Sequence, residues 1–64
     1  MAPSPDSQFI VGVDLGGTNI VVCAMSADGT RQHGLHSEPT AAHEGTDAVI
    51  ARMARMVNET VAIT

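Results

Sequence analysis

Two apolar, β-branched runs stand on either side of a short glycine-containing break, and this restricts the chain more than any other feature. Phe9-Ile10-Val11-Gly12-Val13 and Asn19-Ile20-Val21-Val22-Cys23-Ala24-Met25 lack apolar–polar alternation. That is the pattern of strands covered on both faces. Between them lies Asp14-Leu15-Gly16-Gly17-Thr18. A break this short joins antiparallel neighbours as a hairpin. Asp28-Gly29 follows the second run and signals another tight hairpin. Arg31–Ser37 is more polar and reads as a third strand at an edge or half-exposed position. Glu38–Glu44, with Pro39 and small residues, reads as a loop.

From about Thr46 the period changes. Val49, Ile50, Met53, Val57 and Val61 recur at helical spacing, with Met56 on the flank of the stripe. Thr46 or Asp47 can cap the helix, and an acid in its first turn suits the dipole. The expected fold class is α/β: a three-stranded antiparallel sheet with one helix packed on it. Residues 1–7, rich in Pro and Ser, read as a flexible lead-in, and 8–64 as the structured part.

The size and charge of the chain limit what it does. At 64 residues with a single cysteine, Cys23, it can form no internal disulfide. Ordering the chain costs on the order of 100 kcal/mol, which burial in so short a sequence barely offsets. The expectation is an incomplete part of a larger domain. A net charge of -4, from seven acids and three arginines without lysine, argues against a nucleic-acid or anionic-membrane surface. One Phe and no Trp or Tyr leave no platform for stacking bases. The longest apolar stretch, near Ile20–Met25, is too short for a bilayer, and Met1–Ser7 lacks the marks of a signal peptide. A cytoplasmic setting is expected.

The glycine turn carries the chemistry. A Walker loop needs a Lys before Ser/Thr and leads into a helix, so a chain without lysine excludes it. A dinucleotide fingerprint also opens a helix, and here the glycine spacing is wrong and Ile20–Cys23 prefers strand. Two glycines in a hairpin still let backbone N–H groups approach an oxyanion, with positive φ angles accessible. The Thr18 hydroxyl adds a donor. Asp14 would repel a bare phosphate, but suits a Mg²⁺ held between them, directly or through water. The competing reading is a ligand-free tight turn that Asp14 merely caps.

Val11-Gly12-Val13-Asp14-Leu15-Gly16-Gly17-Thr18-Asn19 resembles the first phosphate motif of the sugar-kinase branch of the actin/hexokinase/Hsp70 superfamily. Within it, the segment is similar to the repressor/ORF/kinase (ROK) family of bacterial glucokinases. Those proteins begin strand, Asp-x-Gly-Gly-Thr, strand, Asp-Gly turn, strand, helix, often with a Glu-Gly pair like Glu44-Gly45 before the helix. The resemblance spans roughly residues 9–62. Asn19 stands where many members carry Lys. It implies the first part of an actin-like (ribonuclease H-like) ATPase domain, transferring a phosphoryl group from ATP to a hexose such as glucose. Gly16, Gly17, Thr18 and Asn19 would bind the ATP phosphates, and Asp14 would orient hydrated Mg²⁺. A homo-oligomer is expected. The family's catalytic Asp, sugar-binding segment and zinc site lie downstream of such a segment, so no catalytic residue is assigned here and the 64-residue piece is expected to be inert. The alternatives are a sugar-responsive transcriptional regulator of the same family, for which few residues precede Phe9, and a non-catalytic binding or assembly module.

Other residues receive plainer readings. His33 and His36, at His-x-x-His spacing on one strand, are expected on opposite faces, and with His43 read as surface histidines rather than metal ligands. Cys23 reads as a small buried residue. Met53 and Met56 read as helix core, and Arg52 and Arg55 as a solvated helix face. Asn58-Glu59-Thr60 matches a glycosylation sequon inside the expected helix and is treated as chance.

Overall fold

A computed structural model describes residues 8–64. Strands β1 (Phe9–Leu15), β2 (Asn19–Ser26) and β3 (Gln32–Pro39) form one antiparallel sheet in the order β1-β2-β3. A short 3₁₀ turn, Ala42–Glu44, leads into helix α1, Thr46–Ala62. The expected α/β arrangement of three strands and one helix is present. The expected lead-in, 1–7, lies outside the described residues. No described helix is long and apolar enough to cross a membrane.

Among the described residues, only one face of the sheet is covered. In β2 the even positions turn to α1: Ile20, Val22 and Ala24 are buried, as is Ser26. Their register partners in β1 are Leu15, Val13, Val11 and Phe9, and directly opposed residues share a face. Met56 of α1 packs onto Ile20 and Val22, with Val11, Val49, Met53 and Val57 around them. Each large apolar side chain removed from water here contributes about 1.5–3 kcal/mol. The opposite face carries Ile10, Gly12 and Asp14 beside Met25, Cys23 and Val21. Here the strands depart from expectation. Ile10 and Met25 are exposed, and Cys23 is half-buried rather than fully buried. Lack of alternation in β1 and β2 therefore marks a sheet whose second face is apolar but open. Nor is β1 deeply buried on the helix side, where Val13 and Leu15 stay exposed because α1 lies over β2.

The helix is rotated from its expected stripe. Met56 and Thr60 are fully buried, whereas Ile50 and Val61 are about half exposed. Thr60 tolerates burial because its hydroxyl donates to the Met56 carbonyl at 2.9 Å, one turn back. Gly45, not Thr46 or Asp47, occupies the N-cap, with φ 103° and no side-chain cap. Asp47 does lie in the first turn, where its charge suits the dipole.

The Asp-Gly hairpin forms as expected. Gly29 takes φ +77°, and its amide donates to Ser26 O at 2.9 Å. Asp28 Oδ1 accepts from the Ser26 hydroxyl, the Thr30 amide and the Thr30 hydroxyl. These donors, the Ser26 hydroxyl first, hold the Asp28 carboxyl down at about 2.

The third strand extends to Pro39, so Glu38 and Pro39 belong to it rather than to a loop. As an edge strand it can include a residue without an N–H. A bulge interrupts its pairing: Val22 opposes His36, but Ala24 opposes His33. Between them Gly34 adopts φ +65°, the left-handed region natural to glycine in such bulges. The added residue resets the alternation, so both His33 and His36 share the helix face with Glu38. The expectation of opposite faces fails for that reason.

Candidate phosphate-binding turn

The turn between β1 and β2 is held from outside itself. Gly16 N donates to Asn19 O at 2.9 Å, closing the hairpin across Gly17 and Thr18. Thr40, which follows β3 and is 3% exposed, then grips the turn twice. Its hydroxyl donates to Gly16 O at 2.7 Å, and its amide donates to Thr18 O at 2.9 Å. The carbonyls on both sides of Gly17 are thereby engaged. Among the described residues, the Gly17 and Thr18 amides have no acceptor. Gly17 has nothing within 4 Å of the place a Cβ would occupy, whereas a Cβ on Gly16 would meet Asn19 O at 3.1 Å. Neither glycine adopts a positive φ, so close approach, not left-handed backbone, is what glycine provides here.

The grip on the turn continues into α1. Arg52 Nη1 donates to Thr40 O at 2.6 Å, and Arg52 Nη2 pairs with Glu44. Donation from Arg52 lowers the Glu44 carboxyl below its ordinary value. Arg52 is thus a part-buried brace between helix and loop, not part of a solvated face. Ala41, at φ 52°, reverses the chain between Thr40 and the 3₁₀ turn. No local pattern points to Thr40, because its partners lie more than twenty residues earlier in the chain.

Of the five residues expected at the site, Gly16, Gly17, Thr18 and Asn19 form the turn and Asp14 stands two residues before it. Asp14 is exposed on the open face of the sheet, opposite Val21. On the helix side, a cavity of about 430 Å³ is lined by Leu15, Gly16 and Gly17, by Thr40, and by Gly45 and Thr46 at the start of α1. The N-terminal end of a 17-residue helix carries partial positive charge. The sheet therefore separates the Asp14 carboxylate from that cavity. A group served by both the carboxylate and the turn amides must sit at the tip, beyond Gly17.

Arg55 is exposed, as expected of the solvated helix face, but it also ties α1 to β3 through Glu38 and pairs with Glu59 one turn along its own helix. Comparison of the chain with protein-family models, curated proteins and solved structures found no match.

Proposed function

We propose that this chain is the N-terminal phosphate-binding segment of an ATP-dependent sugar kinase of glucokinase type, within an actin-like ATPase domain. The observation that carries the reading is the braced Gly16-Gly17-Thr18 turn. Its Gly16 and Thr18 carbonyls are tied back by Thr40, while the Gly17 and Thr18 amides lack acceptors among the described residues and Gly17 presents open space. Backbone N–H groups fixed in this way suit phosphate oxygens, since they need no reorganisation when charge arrives. In the proposed role these amides and the Thr18 hydroxyl bind phosphate oxygens of ATP. Asp14 holds hydrated Mg²⁺ at the edge of the same tip. The ion fits a single exposed carboxylate, because Mg²⁺ retains most of its waters. When bound it neutralises charge on the phosphates, and the chain's own part is positioning. The acceptor is a hexose hydroxyl, and the base that takes its proton is not assigned to any residue of this chain.

The test is an amide-resolved NMR titration of the chain with Mg-ATP and, separately, with Mg-pyrophosphate. The expected result is a shift concentrated at Gly17 and Thr18, weakened by Asp14→Ala when Mg²⁺ is present. Shifts that avoid the turn, or an Asp14→Ala variant with unchanged Mg²⁺ dependence, overturn the proposal.

A further inference from the structure

At the other end of the helix–sheet contact, the bulge at Gly34 sets His36 and Glu38 side by side on the face that meets α1. There Glu59 comes down from the helix. One donor atom from each of His36, Glu38 and Glu59 lies within 4.8 Å of the others. His36 and Glu59 also line a cavity of about 280 Å³ with Gly34, Thr60 and Ile63.

The His36 ring is oriented in a way that calls for a ligand. Its Nδ1 lies 2.7 Å from Gly34 O. A carbonyl only accepts, so Nδ1 carries a proton, and in the neutral ring it is Nε2 that holds the lone pair. That Nε2 is shut off from solvent and has no hydrogen-bond partner. A backbone carbonyl fixing one ring nitrogen so that the other is basic is the usual outer-sphere support of a metal-bound histidine. His33 Nε2 is also buried without a partner, but its ring packs edge-on against Phe9, and among the described residues no carboxylates join it in such a group.

The carboxylates are held but not used up. Arg55 contacts Oε1 of Glu38 and Oε1 of Glu59, leaving the second oxygen of each. The group offers one imidazole nitrogen and one carboxylate oxygen from each glutamate. Two carboxylates against one guanidinium leave a net negative charge beside the imidazole.

We propose that His36, Glu38 and Glu59 form a site for a zinc-class divalent cation that clamps the end of α1 to β3, with a water-open fourth position. An imidazole with two carboxylates suits Zn²⁺ better than Mg²⁺ or Ca²⁺, which take oxygen ligands. Zinc–ligand bonds of about 2.1 Å put tetrahedral neighbours about 3.4 Å apart, so donors that lie within 4.8 Å of one another close in by at most about 1.4 Å. Glu38 and Glu59 are partly exposed, and they make that adjustment together with the exposed Arg55 side chain that holds them. The site uses no residue of the glycine turn and does not depend on the function proposed for it.

The test is titration of the metal-free chain with Zn²⁺ alone, followed by calorimetry and by ¹⁵N spectra of the histidine rings. Before zinc, His36 shows the Nδ1-protonated tautomer. With zinc, binding is one to one, His36 Nε2 shifts, and the thermal midpoint rises. Glu59→Gln and His36→Gln each weaken binding about tenfold or more, as loss of a supporting or ligating group does, while His43→Gln leaves it within twofold. A neutral His36 ring protonated at Nε2, zinc shifts confined to His33 or His43, or unchanged affinity in Glu59→Gln each overturn the proposal. The tautomer measurement needs no variant and so stands even if one fails to fold.

Discussion

Replacing Thr40 by valine keeps the shape of the side chain and removes one hydroxyl. Thr40 is 3% exposed, so no water takes the place of that donor at its own position. Its partner, Gly16 O, loses a 2.7 Å hydrogen bond. A buried carbonyl left without a partner costs about 1–3 kcal/mol. Gly16 is only half-buried, which allows some hydration and puts the expected loss at about 1–2 kcal/mol. In a domain of this size that lowers the thermal midpoint by about 4–16 °C. The Thr40 amide bond to Thr18 and the Arg52 bond to Thr40 O involve backbone atoms of Thr40 and survive the change. Thr40→Ser is the matched control. It retains the hydroxyl and gives up one methyl group, about 0.8 kcal/mol. Thermal unfolding followed by far-UV circular dichroism compares the three chains. A Thr40→Val chain as stable as the parent, or more stable than Thr40→Ser, would refute the brace.

Two other expectations are as direct. Asp28, held at about 2 by Ser26 and Thr30, has a depressed folded-state pKa. Its contribution is complete above the unfolded carboxylate value of about 3.9 and is lost as pH falls through about 2. Carboxyl ¹³C titration should place its midpoint near 2, and a midpoint near 4 shows that the hairpin hydrogen bonds are not formed. Gly34→Ala should destabilise by about 1–2 kcal/mol because φ is +65°. The added methyl would also meet Ile63 Cδ1 at 2.6 Å, but that contact is with the tip of an exposed, flexible side chain. Adding Ile63→Ala should therefore restore little in urea unfolding, and full rescue would assign the cost to the clash instead of the backbone.

The element types and the Asp-Gly hairpin are legible in the sequence because each rests on local chemistry. Phe9–Val13 and Ile20–Met25 are rich in β-branched side chains, and Val49, Met53 and Val57 recur with the helical period. What is not legible depends on distance. Thr40 looks like any loop threonine until β3 brings it against Gly16 and Thr18. The burial of Thr60 follows from a hydrogen bond within its own helix, which apolar periodicity does not count. Continuous apolar character in β1 and β2 suggests two covered faces, yet it is equally compatible with one covered and one open face, as Ile10 and Met25 show. Space for close approach is the right reason to single out the turn glycines, but the positive φ belongs to Gly29, Gly34 and Gly45.

The bulge at Gly34 also acts as a counter. Upstream of it the odd residue His33 faces α1; beyond it the even residues His36 and Glu38 do, and the same inward series runs on to Thr40. Without the extra residue, that parity would carry Pro39 inward and turn Thr40 away from the glycine hairpin. The number of residues between Arg31 and Thr40 is thus constrained even though much of the segment is exposed. A substitution there can be absorbed locally, whereas a one-residue deletion would be felt at the opposite end of the strand.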